Sequence, residues 1–505
     1  MEGAGFRSLI VFLLLAILAF VAGSLASENA VGALAPTAVI LGLFFLIYLG
    51  KNCWILVFIV PPVLSTIDLS ILRGFPVAFM VCGVVLVYML LLSMMGYLKL
   101  KWNYVPIIDY FTLVLCIYFL STWVRHPVEI NAFVSITDFG EDSIVGGKEY
   151  IWCIGAIVCY VALSLVPIQL PTLLKIMKWT FWLSFIVACF MCAKGLITGN
   201  VNIGEEAANT RFGAFAGVGR YIVEFVFAKY SFVGVILSPW KLGLVLLGVL
   251  GIALSGFRSA ILGEFQFVFL CAWAYRQLTI LLVGCFAVWG TLVYLSYERE
   301  EIFEDIPHGV KRVISAVPGV DFTNDKAEKD AEGSSEWRFK MWEWALDPSK
   351  GYITDYVWGD GFGFSLKAES LRRVSFGLGL RNAGDNTVFA ERGDWHNGAI
   401  AIIQATGYVG LSIVIIWMIP VIWLIFSVCH ALRKRPMKEY IFISMLPVII
   451  NYVSIFYMVQ DYIALFTSFY NCALLKSIYV NLRNEGIILP RGSRVRYTPM
   501  LLRES

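Results

Sequence analysis

Apolar runs, most of them close to the length of a bilayer crossing, recur along most of this 505-residue chain. A helix needs about 20 apolar residues to cross the hydrocarbon core, and within that core every backbone donor and acceptor must be satisfied by the protein itself. Transmembrane barrels would show short segments of alternating polarity, a pattern the sequence does not have. The runs fall near 8–25, 31–49, 53–64, 75–96, 106–123, 149–166, 176–197, 218–237, 240–256, 258–275, 278–296, 397–428, 439–459 and 462–480. Charge agrees: Asp, Glu, Lys and Arg make up 15% of the residues, where soluble domains carry roughly 25%. The expected class is an all-α polytopic membrane protein with about 12–14 transmembrane helices. The count is a range because 53–64 is short and 218–237 contains Glu224 and Lys229. Small residues follow the first run, as in a signal peptide, but its length and the span that follows at once favour a first spanning helix.

Lysine and arginine in short loops mark the cytoplasmic side. Alternate crossings place Arg7, Lys51, Lys99, Lys101, Lys175, Lys178, Lys241, Arg276, Arg433, Lys434, Arg435 and Lys438 on one side, together with the tail residues Arg483, Arg491, Arg494 and Arg496. Both termini are therefore expected in the cytoplasm. The chain divides into an N-terminal transmembrane bundle (1–297), a large extracytoplasmic loop (298–396), C-terminal transmembrane helices (397–480) and a basic tail (481–505). Within the loop, "EWRFKMWEWALDP" reads as an amphipathic helix ending near Pro348, and "VWGDGFGFS" as a glycine-bearing turn. A connection this long is usually functional or disordered, and its aromatic residues argue against disorder. The helix is expected to lie along the outer face as a lid.

The net charge of +3 says little about partners, and nothing points to nucleic acid. The eleven cysteines lie mostly in apolar segments; the C-x-x-C spacing of Cys189 and Cys192 falls inside a hydrophobic run and reads as packing, so neither a disulfide scaffold nor a zinc site is implied.

The extracytoplasmic side gathers Arg211 and Arg220 before one span, Arg258 at a tight hairpin, Arg338 on the amphipathic helix, and Asp394, Trp395, His396 and Asn397 at the start of another span. Each has a plain structural use. Arginines anchor helices at headgroup level or bind lipid phosphate, and a histidine can cap a helix. Glu224, Lys229 and Glu264 lie within apolar runs, where ionisable groups are functional candidates; Glu224 can also pair with Arg220 four residues earlier, or with Lys229. Together the outer groups have a chemical logic. Guanidinium forks suit phosphate oxygens, and an imidazole near the boundary can accept a proton at neutral pH. Arginines plus one base suit a lipid-linked pyrophosphate donor, with the arginines stabilising charge on the departing pyrophosphate. Asp394 can orient the imidazole of His396. No D-x-D pair marks a divalent-metal site in the outer loops.

Three segments, in order, carry a resemblance to the O-antigen ligase and polymerase superfamily of bacterial inner-membrane glycosyltransferases: "LSGFRSAIL" (254–262), "EWRFKMWEWAL…VWGDGFGFS" (336–365) and "HNGAIAIIQATGYVGLSIVI" (396–415), with Gly407 and Gly410 at the motif's glycine positions. "TRFGAFAG" (210–217) is more loosely similar to an upstream arginine-glycine segment. Phe257 stands where a serine is common, and Ala405, beside Gln404, where a glutamate often stands. The resemblance covers about residues 210–430. It implies a GT-C-like architecture and transfer of a glycan from undecaprenyl pyrophosphate to an acceptor hydroxyl on the periplasmic face, without metal, cofactor or nucleotide sugar. His396 would be the general base, Arg258 and Arg338 would act with it, and Arg211, Arg220, Asp394, Trp395 and Asn397 would bind or support the pyrophosphate. The acceptor would be a glycan, glycolipid or protein, with membrane lipids as the surrounding partners. Ligation and polymerisation both remain open. So do a lipid-linked sugar transporter, which would place ionisable residues near mid-membrane, and a non-catalytic export scaffold.

Overall fold

The computed structural model describes residues 45–64, 77–128, 144–145, 147–197, 213–255, 258–298, 338–365, 397–457 and 462–488, with Trp395 and a few further single positions. The runs near 8–25 and most of 31–49, the acidic stretch 299–309 and the tail from 489 lie outside the described residues, as do Arg211, Asp394 and His396.

The described chain is helical: α1 (Ile55–Leu64), α2 (Val77–Met94), α3 (Pro106–Arg125), α4 (Lys148–Ser164), α5 (Leu170–Ile197), α6 (Gly213–Lys229), α7 (Pro239–Leu254), α8 (Arg258–Ala274), α9 (Leu278–Glu298), α10 (338–346), α11 (Gly398–Leu432), α12 (Lys438–Ser454) and α13 (Tyr462–Asn484). Four of these, α3, α5, α9 and α11, are both long and apolar enough to cross a membrane, and α2, α4 and α7 are shorter apolar helices. The 12–14 crossings expected from sequence thus reduce, among the described residues, to four that meet the requirement by length and composition. Shortness limits several of the others.

Two apolar runs differ from their sequence reading. The run 218–237 is not one helix: α6 ends at Lys229, and Ser231 opens a separate five-residue helix by accepting a hydrogen bond from Gly234. The run 397–428 is helical but broken. Gly407 has φ 68° and ψ −179°, so α11 is two helices joined at one residue.

Local chemistry sets the helix ends. Pro106 occupies the first turn of α3, where its missing N–H costs nothing. The Asp109 carboxylate accepts from the Val105 N–H at 2.8 Å. Asn397 caps α11, its side-chain oxygen accepting from the Ala399 and Ile400 N–H groups at 2.9 and 3.2 Å.

One apolar core runs through early and late helices alike. Helix α13 packs on α4, and α11 on α3. Trp417 Nε1 donates to Thr112 Oγ1 at 2.9 Å, and the Tyr470 hydroxyl to the Phe58 carbonyl at 2.7 Å. Helices α6 and α7 meet backbone to backbone: a Cβ on Gly219 would fall 2.3 Å from the Gly248 oxygen, the close approach that small residues permit between membrane helices. By contrast α9 is almost bare, presenting Val283, Phe286, Val288, Trp289 and Tyr294 outward. A soluble monomer rarely exposes so large an apolar patch; a lipid-facing helix does.

Lys476 is fully buried between α13, α3 and α4. Its ammonium meets Asp109 Oδ1, and Tyr160 OH and Ser164 Oγ at 3.0 Å each, so all three protons have acceptors. The rings of Trp102 and Tyr160 flank it, with centroids 4.6 and 4.3 Å away.

Candidate functional site

The site is built around the break in α11. Opening a helix inside a membrane frees backbone groups that lipid cannot satisfy. Here the turn 355–361 fills the gap. The carbonyls of Gln404 and Ala405 accept from the Asp360 and Gly361 N–H groups at 2.6 and 3.0 Å, and the N–H groups of Tyr408 and Val409 donate to the Tyr356 and Val357 carbonyls at 2.8 and 3.2 Å. The Thr406 carbonyl accepts from the Tyr118 hydroxyl of α3 at 2.7 Å.

Glycines make this fit possible. Gly359, Gly361 and Gly407 all have φ between 68° and 89°, and each is met by neighbouring atoms on its open side. A Cβ on Gly359 would sit 2.4 Å from the Thr406 nitrogen, and one on Gly361 would sit 2.5 Å from the His126 Cβ. The "VWGDGFGFS" turn and the Gly407–Gly410 segment, noted separately in the sequence, are two halves of one joint.

The turn is held on every side. Asp355 Oδ1 accepts from the Val357 and Trp358 N–H groups at 2.9 Å each, and Asp360 takes the Thr354 and Asp355 N–H groups. The Tyr356 hydroxyl donates to the Ala345 carbonyl of α10 at 2.9 Å. Burial, with Tyr408 stacked at 6.3 Å, holds the Tyr356 phenol above its ordinary range. Phe362 packs edge-on to Tyr150 with centroids 4.9 Å apart. A two-residue antiparallel pairing, Ile144 with Ser365 and Val145 with Phe364, joins the turn to the segment after α3.

The 25 residues of α11 beyond the break, 408–432, rise about 37 Å, enough to cross the core alone. The first part, 398–406, is therefore free to act as a platform, and α10 lies against it. Met341 and Ala345 of α10 form a small core with Trp395 and Ile400. Trp342 Nε1 donates to the Trp395 carbonyl at 3.0 Å, and Trp395 Nε1 to Gln404 Oε1 at 2.9 Å. Asn397 Nδ2 donates to the Phe456 carbonyl beyond α12. Asp347 closes α10, and hydrogen bonds from Ser349 hold its carboxyl below the usual carboxylate range.

Of the residues picked from sequence, Trp395 and Asn397 are neighbours and both buried, and Arg338 lies on α10, the helix that packs on Trp395 through Met341 and Ala345. It lies one turn before Trp342 on the same face of α10, half-buried, with its Nε shielded. Arg258 begins α8 and is also half-buried. His396 lies outside the described residues, but both its chain neighbours are anchored.

Arg220 is placed elsewhere. Its Nε contacts Glu224 Oε1 at 2.9 Å and Glu264 Oε1 at 3.1 Å. About half of its side chain remains open toward a cavity of about 760 Å³ between α1, α5, α6, α12 and α13. Arg258, Arg338, Trp395 and Asn397 do not line that cavity. Glu224 thus pairs with Arg220, one of its two expected partners, whereas Lys229 lies over the Phe225 and Tyr230 rings. Glu264 Oε2 is buried with no hydrogen-bond partner among the described residues.

Two residues that the sequence reading passed over border the joint. Arg125 Nη1 donates to the Trp358 carbonyl at 3.2 Å, and its guanidinium carbon lies 5.6 Å from the Tyr118 and Trp358 ring centroids. His126 follows it against Gly361. The signal was present as "VRHP", one of only four histidines in the chain, at the end of a predicted span.

The joint can therefore present guanidinium and imidazole groups on a rigid frame at one end of the helices. No family model matches the chain, and no curated protein matches it significantly.

Proposed function

We propose that this chain is a multi-pass glycosyltransferase of the bacterial inner membrane, resembling O-antigen ligases. It would move a glycan from undecaprenyl pyrophosphate to an acceptor hydroxyl on the periplasmic face. The observation that carries the reading is the docking of the 355–361 turn into the break at Gly407. Two motif segments far apart in sequence meet there, and α10 with Arg338 packs onto Trp395 beside them. In the mechanism, His396 takes the proton of the attacking hydroxyl, held between the anchored Trp395 and Asn397. Arg258 and Arg338 neutralise the departing pyrophosphate. A lipid donor cannot leave the bilayer and a glycan cannot enter it, so the boundary is where the two can react. Both termini lie in the cytoplasm on this reading, and GT-C-like packing of further crossings completes the fold. A polymerase of the same superfamily would use the same groups with a growing glycan as acceptor.

The test is transfer of a lipid-linked oligosaccharide by the purified chain in nanodiscs, with glycan, glycolipid and protein acceptors. Folded His396→Ala and Arg258→Ala chains are expected to lose transfer by at least about 100-fold. Transfer at native rates by both sinks the assignment.

A second reading is a lipid-linked sugar transporter, favoured by the Arg220–Glu224–Glu264 cluster within apolar helices beside an open cavity. Movement of lipid-linked sugar across vesicles without any transfer product would select it.

A further inference from the structure

Helices α6, α8 and α11 each have a second end, away from Gly213, Arg258 and Asn397. Those ends, with the start of α12, line an open cavity of about 730 Å³. Its wall carries five cationic side chains: Lys229, Arg276, Arg433, Lys434 and Lys438. No carboxylate lines it. Glu439 acts on Lys438 and Tyr275 electrostatically from beside the cavity, one carboxylate against five cations. Among the described residues, none of the five forms an ion pair with a carboxylate. Like charges held this close repel, and a fold keeps them together at a cost in stability unless an anion joins them.

The cations are also positioned. Lys438 Nζ lies 4.5 Å from the Tyr275 ring centroid and donates to the Arg433 carbonyl at 3.0 Å. Lys241, just beside the cavity, sits 4.1 Å over the Tyr230 ring and donates to the Gly234 carbonyl. Arg276 and Met437 have φ of 59° and 62°, the only two residues other than glycine with positive φ among those described. Each stands at a turn beside the cavity. Ser231 keeps its hydroxyl proton to donate, since its oxygen is used as an acceptor from Gly234.

We infer that this cavity binds an anionic headgroup bearing two phosphoryl groups. Five cationic side chains around one cavity exceed what one phosphodiester needs. The volume suits a small-molecule site, and basic pockets between membrane helices take multiply charged lipid headgroups. The same chemistry is offered by cardiolipin in the adjoining leaflet and by soluble pyrophosphate. The inference stands apart from the glycan-transfer reading, because it uses the opposite ends of the helices.

The experiment uses the full chain in phosphatidylcholine nanodiscs, with and without cardiolipin, and reads retained cardiolipin by native mass spectrometry. A parallel arm titrates inorganic pyrophosphate into cardiolipin-free nanodiscs by calorimetry. Arg433→Ala/Lys434→Ala is expected to reduce binding by about tenfold or more. Lys99→Ala/Lys101→Ala removes the same charge elsewhere and should leave it unchanged, and Arg433→Lys/Lys434→Arg should retain it. Loss confined to the cardiolipin arm assigns the lipid; loss confined to the pyrophosphate arm assigns the soluble anion. Equal binding by all four chains, or no binding in either arm, overturns the site.

Discussion

Gly407 and Val357 touch through their backbones: a Cβ on Gly407 would lie 2.1 Å from the Val357 carbonyl oxygen. That contact joins a loop to the break near the start of α11, where a substitution meets both a glycine-only backbone and a collision. Gly407→Ala incurs both. Gly351→Ala incurs only the milder left-handed conformation (φ 68°, ψ 17°) with nothing within 4 Å, whereas Gly407 sits at φ 68°, ψ −179°, a region kept almost entirely to glycine. The expected losses are about 1 kcal/mol at Gly351 and more than about 3 kcal/mol at Gly407. Unfolding midpoints of the purified chain in detergent check the difference, and equal shifts would mean that the turn is not docked.

Removing the cation from a pair of buried carboxylates should be worse than removing all three charges. Arg220→Ala leaves Glu224 and Glu264 side by side, both buried, and is expected to cost about 3–5 kcal/mol. Adding Glu224→Gln and Glu264→Gln should recover most of it. Thermal melts of the single and triple variants decide, and a triple variant weaker than the single one contradicts the cluster.

The Lys476–Asp109 pair offers the same logic at the other end of the bundle. Asp109→Ala strands a fully buried ammonium, again for about 3–5 kcal/mol. Asp109→Asn with Lys476→Met should come close to the native midpoint. A double-variant cycle showing no coupling would mean that the two groups do not meet.

Asn397 uses both ends of its amide, so its variants should separate. Asn397→Asp keeps the acceptor that caps α11 but loses the donor to Phe456; Asn397→Ala loses both. Stability should fall by about 1 kcal/mol at each step. In the transfer assay the alanine variant should be the weaker of the two, and the reverse order would argue against a positioning role for the cap.

Much of the helix layout is legible in the sequence because the apolar runs are set by bilayer thickness, a local constraint. The helix before Pro348 is legible but its packed face is not: Phe339 points outward, while Met341 and Ala345, which the aromatic pattern left aside, are the residues buried against Trp395 and Ile400. Nor is the break at Gly407 legible. A single glycine in an apolar run is compatible with a straight helix, and only the distant turn at 355–361 decides otherwise. Arg220 shows a related limit. Its position before a span suggested an anion ligand, but its partner Glu264 lies on another helix, and sequence spacing cannot register such a pairing. The joint beside Trp395 and Asn397 was half visible as glycines and half invisible as the contact between them.

The inserted turn also fixes an order of assembly. Synthesis delivers residues 355–361 before 404–409, so the joint can close only after both are made. Until it does, α11 has every reason to be an unbroken rod, since glycine tolerates a helical φ as readily as the observed one. On this account the break would form by docking, after the turn and the helix are both in place. Without the turn, 398–432 would be free to run as one unbroken apolar helix, longer than the 408–432 piece that the joint leaves.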